Sequence, residues 1–237
     1  MMLKDIAAAA DLAPAQAHAY LSSYRRVGLV EQDAASGRYL IGPFAVRLAV
    51  ARLKTVPELV AVTDAVSRLG RDLGLMATAT IWTAHGPTVV HRHDGDETLN
   101  VNIRLGTLFS LNGTATGRIF LAFGDAARVA DRLAREAVQP VAESLADGTS
   151  PDALDAVRRD GYALVREAPV PGVNALAAPV FAADGAVFAV LTLIGTSTRL
   201  PVSTVNNPVL SRVLTAARAL TAAMAAEGFA APEEALQ

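Results

Sequence analysis

"DLAPAQAHAYLSSYRRVGLVEQDAASGRYLIG", Asp11 to Gly42, reads as a turn, a helix and a hairpin. Pro14 suits the first turn of a helix, where its missing N–H costs nothing. Ala17, Tyr20, Leu21 and Tyr24 then keep helical spacing up to Gly28, a C-terminal stop. Val30-Glu31-Gln32 and Arg38-Tyr39-Leu40-Ile41 pair as strands around Ala34-Ala35-Ser36-Gly37, a wing. In front, Leu3 to Ala10 forms a short helix with Leu3, Ile6 and Ala7 on one face. The outline is a winged helix-turn-helix, in which the second helix meets the bases.

That helix offers some DNA contacts and lacks others. Gln16 can read adenine in a bidentate way, His18 can donate to base or phosphate, and Tyr20, Ser22 and Ser23 can touch backbone. Arg25 and Arg26 at the helix end, with Arg38 in the wing, are the best phosphate partners. No Arg or Lys stands between Pro14 and Tyr24, so a winged helix that binds protein and not DNA remains the alternative.

Charge favours the DNA reading in direction. From Met1 to Lys54, seven bases (Lys4, Arg25, Arg26, Arg38, Arg47, Arg52, Lys54) face four acids (Asp5, Asp11, Glu31, Asp33), leaving +3 there and −5 on the rest. The whole chain carries −2, which argues against a protein coated for nucleic acid. With 52% hydrophobic and 19% charged residues, its 237 residues bury a real core. Having no cysteine excludes disulfides, thiol nucleophiles and Cys-based zinc sites. The most apolar stretch, Ala175 to Ile194, is broken by Pro179 and Asp184-Gly185, so it reads as two buried strands and not a spanning helix. No basic segment followed by an apolar one opens the chain, so the expected location is cytoplasmic.

Beyond the wing, Phe44 to Lys54 reads as a linking helix, and a second domain begins near Thr55. Leu59, Val62, Val66, Leu69 and Leu73 form the buried stripe of its first helix, up to Gly74. Strands are expected at Met76–Thr83, Thr88–His93 and Leu99–Ile103, then helices from Gly113 to Phe123, near Ala126–Arg135 and at Pro151–Asp160. Three more strands follow near Tyr162–Arg166, Ala175–Phe181 and Val187–Ile194, and a helix from about Ser203 to Ala226 closes the domain. Mixed strands between terminal helices give an α+β, sensor-like domain.

Two clusters invite chemistry. In Asn112-Gly113-Thr114-Ala115-Thr116-Gly117, small residues open a helix and leave backbone N–H groups uncovered at a positive dipole end. This arrangement binds a carboxylate or phosphate, or else its small residues serve packing alone. It is not a Walker A motif, because no Gly-Lys-Ser/Thr follows in register. His91 and His93 share a strand face, with His85 across the hairpin and Asp94 adjacent. A metal site is conceivable there, though an exposed polar strand edge is the plainer reading. Ser110 and Ser197 have no partner histidine and no carboxylate pair sits in an acid/base setting, so catalysis is disfavoured.

Three stretches in order, "LKDIAAAADLAPAQAHAYLSSYRRVGLVEQDAASGRYLIGP", "RLGTLFSLNGTATGRIFLAF" and "VRRDGYALVREAPVPGVNALAAPVFAADGAVFAVLTLIGTSTRL", resemble the IclR family of bacterial transcriptional regulators. The resemblance runs from Leu3 to about Ala226. It implies a winged-helix DNA-binding domain over 1–43, a linker helix over 44–54, a GAF-like mixed α/β effector domain over 55–226 and a flexible tail over 227–237. It also implies homodimers or dimers of dimers on near-palindromic operators and a small organic acid as effector. Neither metal nor cofactor is expected. Carried over by position, the effector pocket would be lined by Thr98, Val101, Phe109, Thr114, Ala115, Thr116, Val165, Ala175, Thr192 and Ile194. The N–H groups of Ala115 and Thr116 would hold the ligand's carboxylate.

The departures from the family pattern sharpen the expectation. Val165 stands where members often carry an acid, and positions 175 and 194, sometimes polar in relatives, are Ala and Ile. An apolar wall selects against very polar ligands, so an acid with an aromatic or alkyl body is expected, with Thr192 as a second polar contact. In the recognition segment the family tends toward Gly-Leu-Pro-x-Ser-Thr-x-His-Arg. Asp11 to Ala19 keeps Leu12 and His18 but loses the turn Gly, the Ser and the Arg. The family's first helix would lie upstream of Leu3. Its absence from this sequence would leave Leu3, Ile6 and Leu21 partly uncovered, and fits either a start placed downstream of the true one or real degeneration. The expected function is a ligand-responsive DNA-binding regulator. The alternative is a dimeric sensor or protein-interaction module that has lost DNA binding, and an enzyme ranks last.

Overall fold

The computed structural model describes residues 1–136, 149–201 and 207–226. The expected tail, 227–237, and the expected first residues of the closing helix, 203–206, lie outside the described residues. The chain divides into two compact units, Met1–Val60 and Ala61–Gln237.

In the first unit, α1 (Leu3–Ala9) turns at Asp11 into α2 (Pro14–Arg26). Pro14 is the first residue of α2, and the Gln16 side chain reaches back to accept the Ala13 N–H at 3.3 Å. Gly28, at φ +75°, ends the helix. Its N–H donates to Arg25 O and that of Leu29 to Tyr24 O, at 3.0 and 2.9 Å, so two orphan carbonyls are satisfied. The wing is the antiparallel pair β1 (Val30–Gln32) and β2 (Tyr39–Ile41). In its turn, the Asp33 carboxylate accepts the Ser36 hydroxyl at 2.5 Å and the Ser36 N–H at 2.7 Å, and these bonds hold its pKa below the ordinary carboxylate value. Met1 lies along Tyr39, exchanging bonds of 3.0 and 2.8 Å with its backbone. Ala7, Ala17, Leu21 and Tyr39 are buried. Leu21 is therefore covered, contrary to expectation, because α1 packs on α2; Leu3 and Ile6 are half-buried. α3 (Pro43–Thr55) buries no residue, and Val46, Leu48 and Val50 stand exposed.

The second unit is built on a five-stranded antiparallel sheet in the order β4-β3-β7-β6-β5. The strands are β3 (Met76–Thr83), β4 (Gly86–His93), β5 (Ala163–Val165), β6 (Val173–Phe181) and β7 (Val187–Thr196). Side chains alternate across a strand, and here both faces are buried, so β6 and β7 read as nearly continuous apolar runs. Leu176, Ala178, Ala189, Leu191 and Leu193 enter one core with Val62, Val66 and Leu69 of α4 (Pro57–Leu73). The same core takes Val213, Ala217, Leu220 and Met224 of α8 (Pro208–Ala226). Among the described residues α8 is the one helix long and apolar enough to cross a membrane by length and composition, yet this stripe is in the core. On the other face, Ala177 and Val190 meet Ile119 and Phe120 of α5 (Ala115–Phe123) and Val157 of α7 (Pro151–Asp160). α6 (Ala126–Glu136) packs there through Val129 and Leu133.

One expected strand is absent. Leu99–Ile103 alternates like a strand but forms no ladder. The edge it would need on β4 is taken by 106–109: Val89 N–H donates to Thr107 O at 2.9 Å, Gly106 N–H to Val89 O and Phe109 N–H to Pro87 O, each at 2.8 Å. Ile103 is tied instead by its carbonyl, which accepts from the Arg92 guanidinium.

Candidate functional site: a cavity at the opening of α5

α5 begins at Ala115 and not at Gly113, because Thr114 is its N-cap. Thr114 Oγ1 accepts the Gly117 N–H at 2.8 Å and donates to Ser110 O at 2.7 Å. The first N–H groups of any helix lack intrahelical acceptors. Those of Ala115 and Thr116 have none among the described residues. Gly117 is required by close approach: a Cβ there would stand 2.2 Å from Ser110 O. The loop before α5 thus lies directly on the helix's first turn.

These residues border a cavity of about 310 Å3. Eight of the ten expected wall residues meet there: Val101, Phe109, Thr114, Ala115, Thr116, Ala175, Thr192 and Ile194. Thr116 Oγ1 and Thr192 Oγ1, both buried, lie 2.7 Å apart and bond α5 to β7, an interaction worth about 1 kcal/mol. The other two lie elsewhere. Val165 is opposite Ala175 in the β5–β6 ladder, one strand further out, and is packed among Ile119, Phe120 and Val157. Thr98 is exposed in the irregular segment after β4. Asn100, Asn102, Ile103, Thr107, Leu108 and Ser110 complete one wall, and Ala168, Pro169, Val170 and Val173 another. None of the described lining residues carries a charge.

Two buried polar side chains hold this shape. Glu136 of α6 takes the Leu111 N–H at 3.0 and 3.1 Å on its two oxygens, the Ser110 hydroxyl at 2.8 Å and Arg132 Nε at 2.9 Å. Asn174 donates to Leu200 O at 2.8 Å and accepts the Glu167 N–H at 3.0 Å, which fixes the start of the Ala168–Val170 wall. Sequence reasoning missed both, since partners 25 and 26 residues away leave no local pattern.

The histidines do neither thing expected of them. His91 and His93 pair with Ala79 and Ala77, whose side chains enter the α4 core, so the pair is half-buried against α4. His91 Nε2 lies 2.8 Å from Ser67 Oγ, and His93 packs on Gly70. Burial, then the neighbouring charge of His93, pull the His91 pKa down against the opposing pull of Asp64. Among the described residues no three His, Cys, Asp or Glu side chains gather as a metal site.

In the first unit, helical spacing puts Gln16, Ser22, Ser23 and Arg26 on the outward half of α2, with His18 and Arg25 on one flank and Tyr20 on the other. All are exposed except Ser22, which is half-buried, and Arg38 is exposed in the wing. Three of these side chains are already engaged: Gln16 Oε1 caps its own helix, Ser23 Oγ donates to Ala19 O at 3.2 Å, and Arg25 Nη1 donates to Gln32 Oε1 at 3.2 Å.

Comparison with known proteins agrees with this architecture. Residues 54–222 match the family model described as bacterial transcriptional regulator IclR C-terminal. This chain belongs to the IclR family. The glycerol operon regulatory protein of Streptomyces coelicolor is 29% identical over 184 residues, spanning 75% of this chain and 70% of that protein. A solved IclR transcriptional regulator from Silicibacter is 23% identical with a TM-score of 0.72, covering 95% of this chain and 89% of the other. An IclR homologue from Microbacterium hydrocarbonoxydans, solved with 4-hydroxybenzoate, has a TM-score of 0.67 at 17% identity, covering 95% of this chain and 92% of the other. The α+β fold is that of IclR regulators, and the protein is a transcriptional regulator; its relatives are regulators and not enzymes.

Proposed function

We propose that this IclR-family regulator binds operator DNA through α2 and the wing, and senses a small organic acid in the cavity at the opening of α5. The observation that carries the effector reading is the chemistry of that cavity. Its described walls hold no charged side chain, so the groups that attract an anion are the unspent N–H groups of Ala115 and Thr116 at a positive helix end. Thr116 and Thr192 offer hydroxyls beside them. Val101, Ile103, Phe109, Ala175 and Ile194 supply apolar surface, which suits an aromatic or alkyl body. The 4-hydroxybenzoate held by the Microbacterium hydrocarbonoxydans homologue is a ligand of this kind. The effector would shift the arrangement of two DNA-binding domains in a dimer or dimer of dimers, with the exposed apolar residues of α3 available for pairing.

Calorimetry with 4-hydroxybenzoate and glyoxylate tests the ligand class. The aromatic acid is expected to bind at least tenfold tighter, and a preference for glyoxylate would reject the apolar-body reading. A DNA titration on the promoter beside the gene is expected to lose affinity steeply with salt. One observation favours a second reading, a module that binds protein: Tyr20 and Tyr24 are exposed on an α2 with no Arg or Lys before Arg25, and Val27 is exposed just beyond its end. DNA affinity that is absent at every salt concentration would select it.

A further inference from the structure

The arginines of α6 line neither the cavity nor the core. Arg128, Arg132 and Arg135 recur four and three residues apart, so they share one side of the helix. That side borders a second cleft, of about 400 Å3, whose other bank is the β3–β4 hairpin with Trp82 and His85. Asp131 is the one acid among the described lining residues, and it is engaged by Arg135 at 2.9 Å. Asp125, just outside, caps α6 by accepting the Arg128 N–H at 2.9 Å. The Arg128 guanidinium has no partner among the described residues.

Arg132 is built in differently. Its stem lies on Gly86, where a Cβ would come within 3.0 Å of Arg132 Cδ. Its Nε donates to Glu136, while its two Nη groups have no acceptor among the described residues. A guanidinium presents five N–H donors in a planar fork matched to carboxylate and phosphate oxygens. An ordinary solvated arginine face needs neither a concave wall nor an aromatic side chain beside it. This one has both, since Trp82 lines the cleft while packing edge-on against Phe120 at 5.2 Å.

The cleft is also wired inward. Glu136, held by Arg132, holds Ser110 and Leu111, and Ser110 O receives the Thr114 hydroxyl that caps α5. An anion on Arg132 would offset the charge that compensates the buried Glu136 carboxylate, and so weaken its hold on the α5 opening.

We propose that this cleft is a second ligand site, taking a compact oxyanion, a carboxylate or a phosphate group, between Arg128 and Arg132 beside Trp82, and opposing the ligand of the inner cavity through Glu136. The linkage rests on the inner cavity being the effector site; the cleft itself does not.

Trp82 is the chain's single tryptophan, so its emission reads the cleft directly. The intact protein would be titrated with inorganic phosphate and, separately, with succinate, against chloride at equal ionic strength. At least one is expected to give a saturable change, weakened about tenfold or more in Arg128→Gln, the loss of a charge-assisted contact. The tighter of the two identifies the source as phosphate or carboxylate. No saturable change with either, or a response retained in Arg128→Gln, overturns the site. Calorimetry of 4-hydroxybenzoate with saturating oxyanion then tests the linkage: several-fold weaker binding in the wild type and none of that effect in Arg128→Gln. Unchanged affinity in the wild type overturns the linkage. Failure of 4-hydroxybenzoate to bind at all counts against the inner effector reading, with the oxyanion titration still deciding the cleft.

Discussion

The two units solve the problem of burial in opposite ways. The sheet unit covers both faces of five strands, and its largest buried side chains, Phe120, Leu111, Ile119, Leu176, Leu191 and Leu193, lie within it. The N-terminal unit buries little beyond Ala7, Ala17, Leu21 and Tyr39, and leaves Tyr20, Tyr24, Val27, Leu40 and Ile41 exposed. Apolar area removed from water contributes about 25 cal/mol per Å2. The sheet unit therefore owes its stability to its own core, whereas the winged unit keeps its apolar surface available. A sensor has to hold a cavity open against collapse, which takes a rigid frame. Under the proposed function, the winged unit would be a nucleic-acid reader, which works with its surface.

The strongest way to break the contrast is through Phe120. Phe120→Ala removes a fully buried ring that packs on Trp82 and Ile119, and is expected to destabilise the sheet unit by about 3–5 kcal/mol in denaturant unfolding. A loss much below 1 kcal/mol would mean that the α5 core is not what supports the cavity. The surface-borne half of the contrast is sharpened by Arg26→Gln. Arg26 is exposed on the outward half of α2, so stability should barely change, while the slope of log affinity for DNA against log salt should fall by about one. An unchanged slope would remove Arg26 from the phosphate contacts.

The smallest effect is one of pH. Burial lowers the His91 pKa in the folded protein below its ordinary value of 6.5, so on acidification the unfolded chain takes up that proton first. Stability of the sheet unit should therefore be level above about pH 6.5 and decline as pH falls below it. His93 and Asp64 face the same ring with opposite effect, and Ser67 accepts from or donates to it. Thermal melts of wild type and His91→Gln between pH 5 and 8 check this; parallel curves would remove His91 as the cause.

Much of the frame was legible because its signals are local. Pro14 and Gly28 bracket α2, Asp184-Gly185 divides β6 from β7, and the stripe Leu59, Val62, Val66, Leu69 marks α4. Eight of the ten expected wall residues line the cavity; six of them, Thr114, Ala115, Thr116, Ala175, Thr192 and Ile194, sit on strands or at a helix opening, where spacing fixes direction. The failures share a cause. Leu99–Ile103 has strand-like alternation, but pairing depends on which segment reaches the β4 edge, and 106–109 takes it. Val165 faces the expected side of the sheet, one strand too far from the cavity. Glu136 and Asn174 act through backbone groups far along the chain, and a lone acid or amide carries no periodicity to announce that.

The cavity's two sides differ in how freely they can be rewritten. Ala175, Thr192 and Ile194 belong to central strands whose opposite faces build the core, so each substitution there is felt by the whole unit. The facing wall, residues 100–109, is irregular chain clipped to an edge by three backbone bonds and the Arg92 guanidinium. Loops of this kind tolerate replacement, including changes of length. Descendants of this sequence could thus acquire a new ligand preference by drift in that one segment, with the frame inherited intact. An engineer seeking a new ligand for this cavity would randomise the same ten positions first.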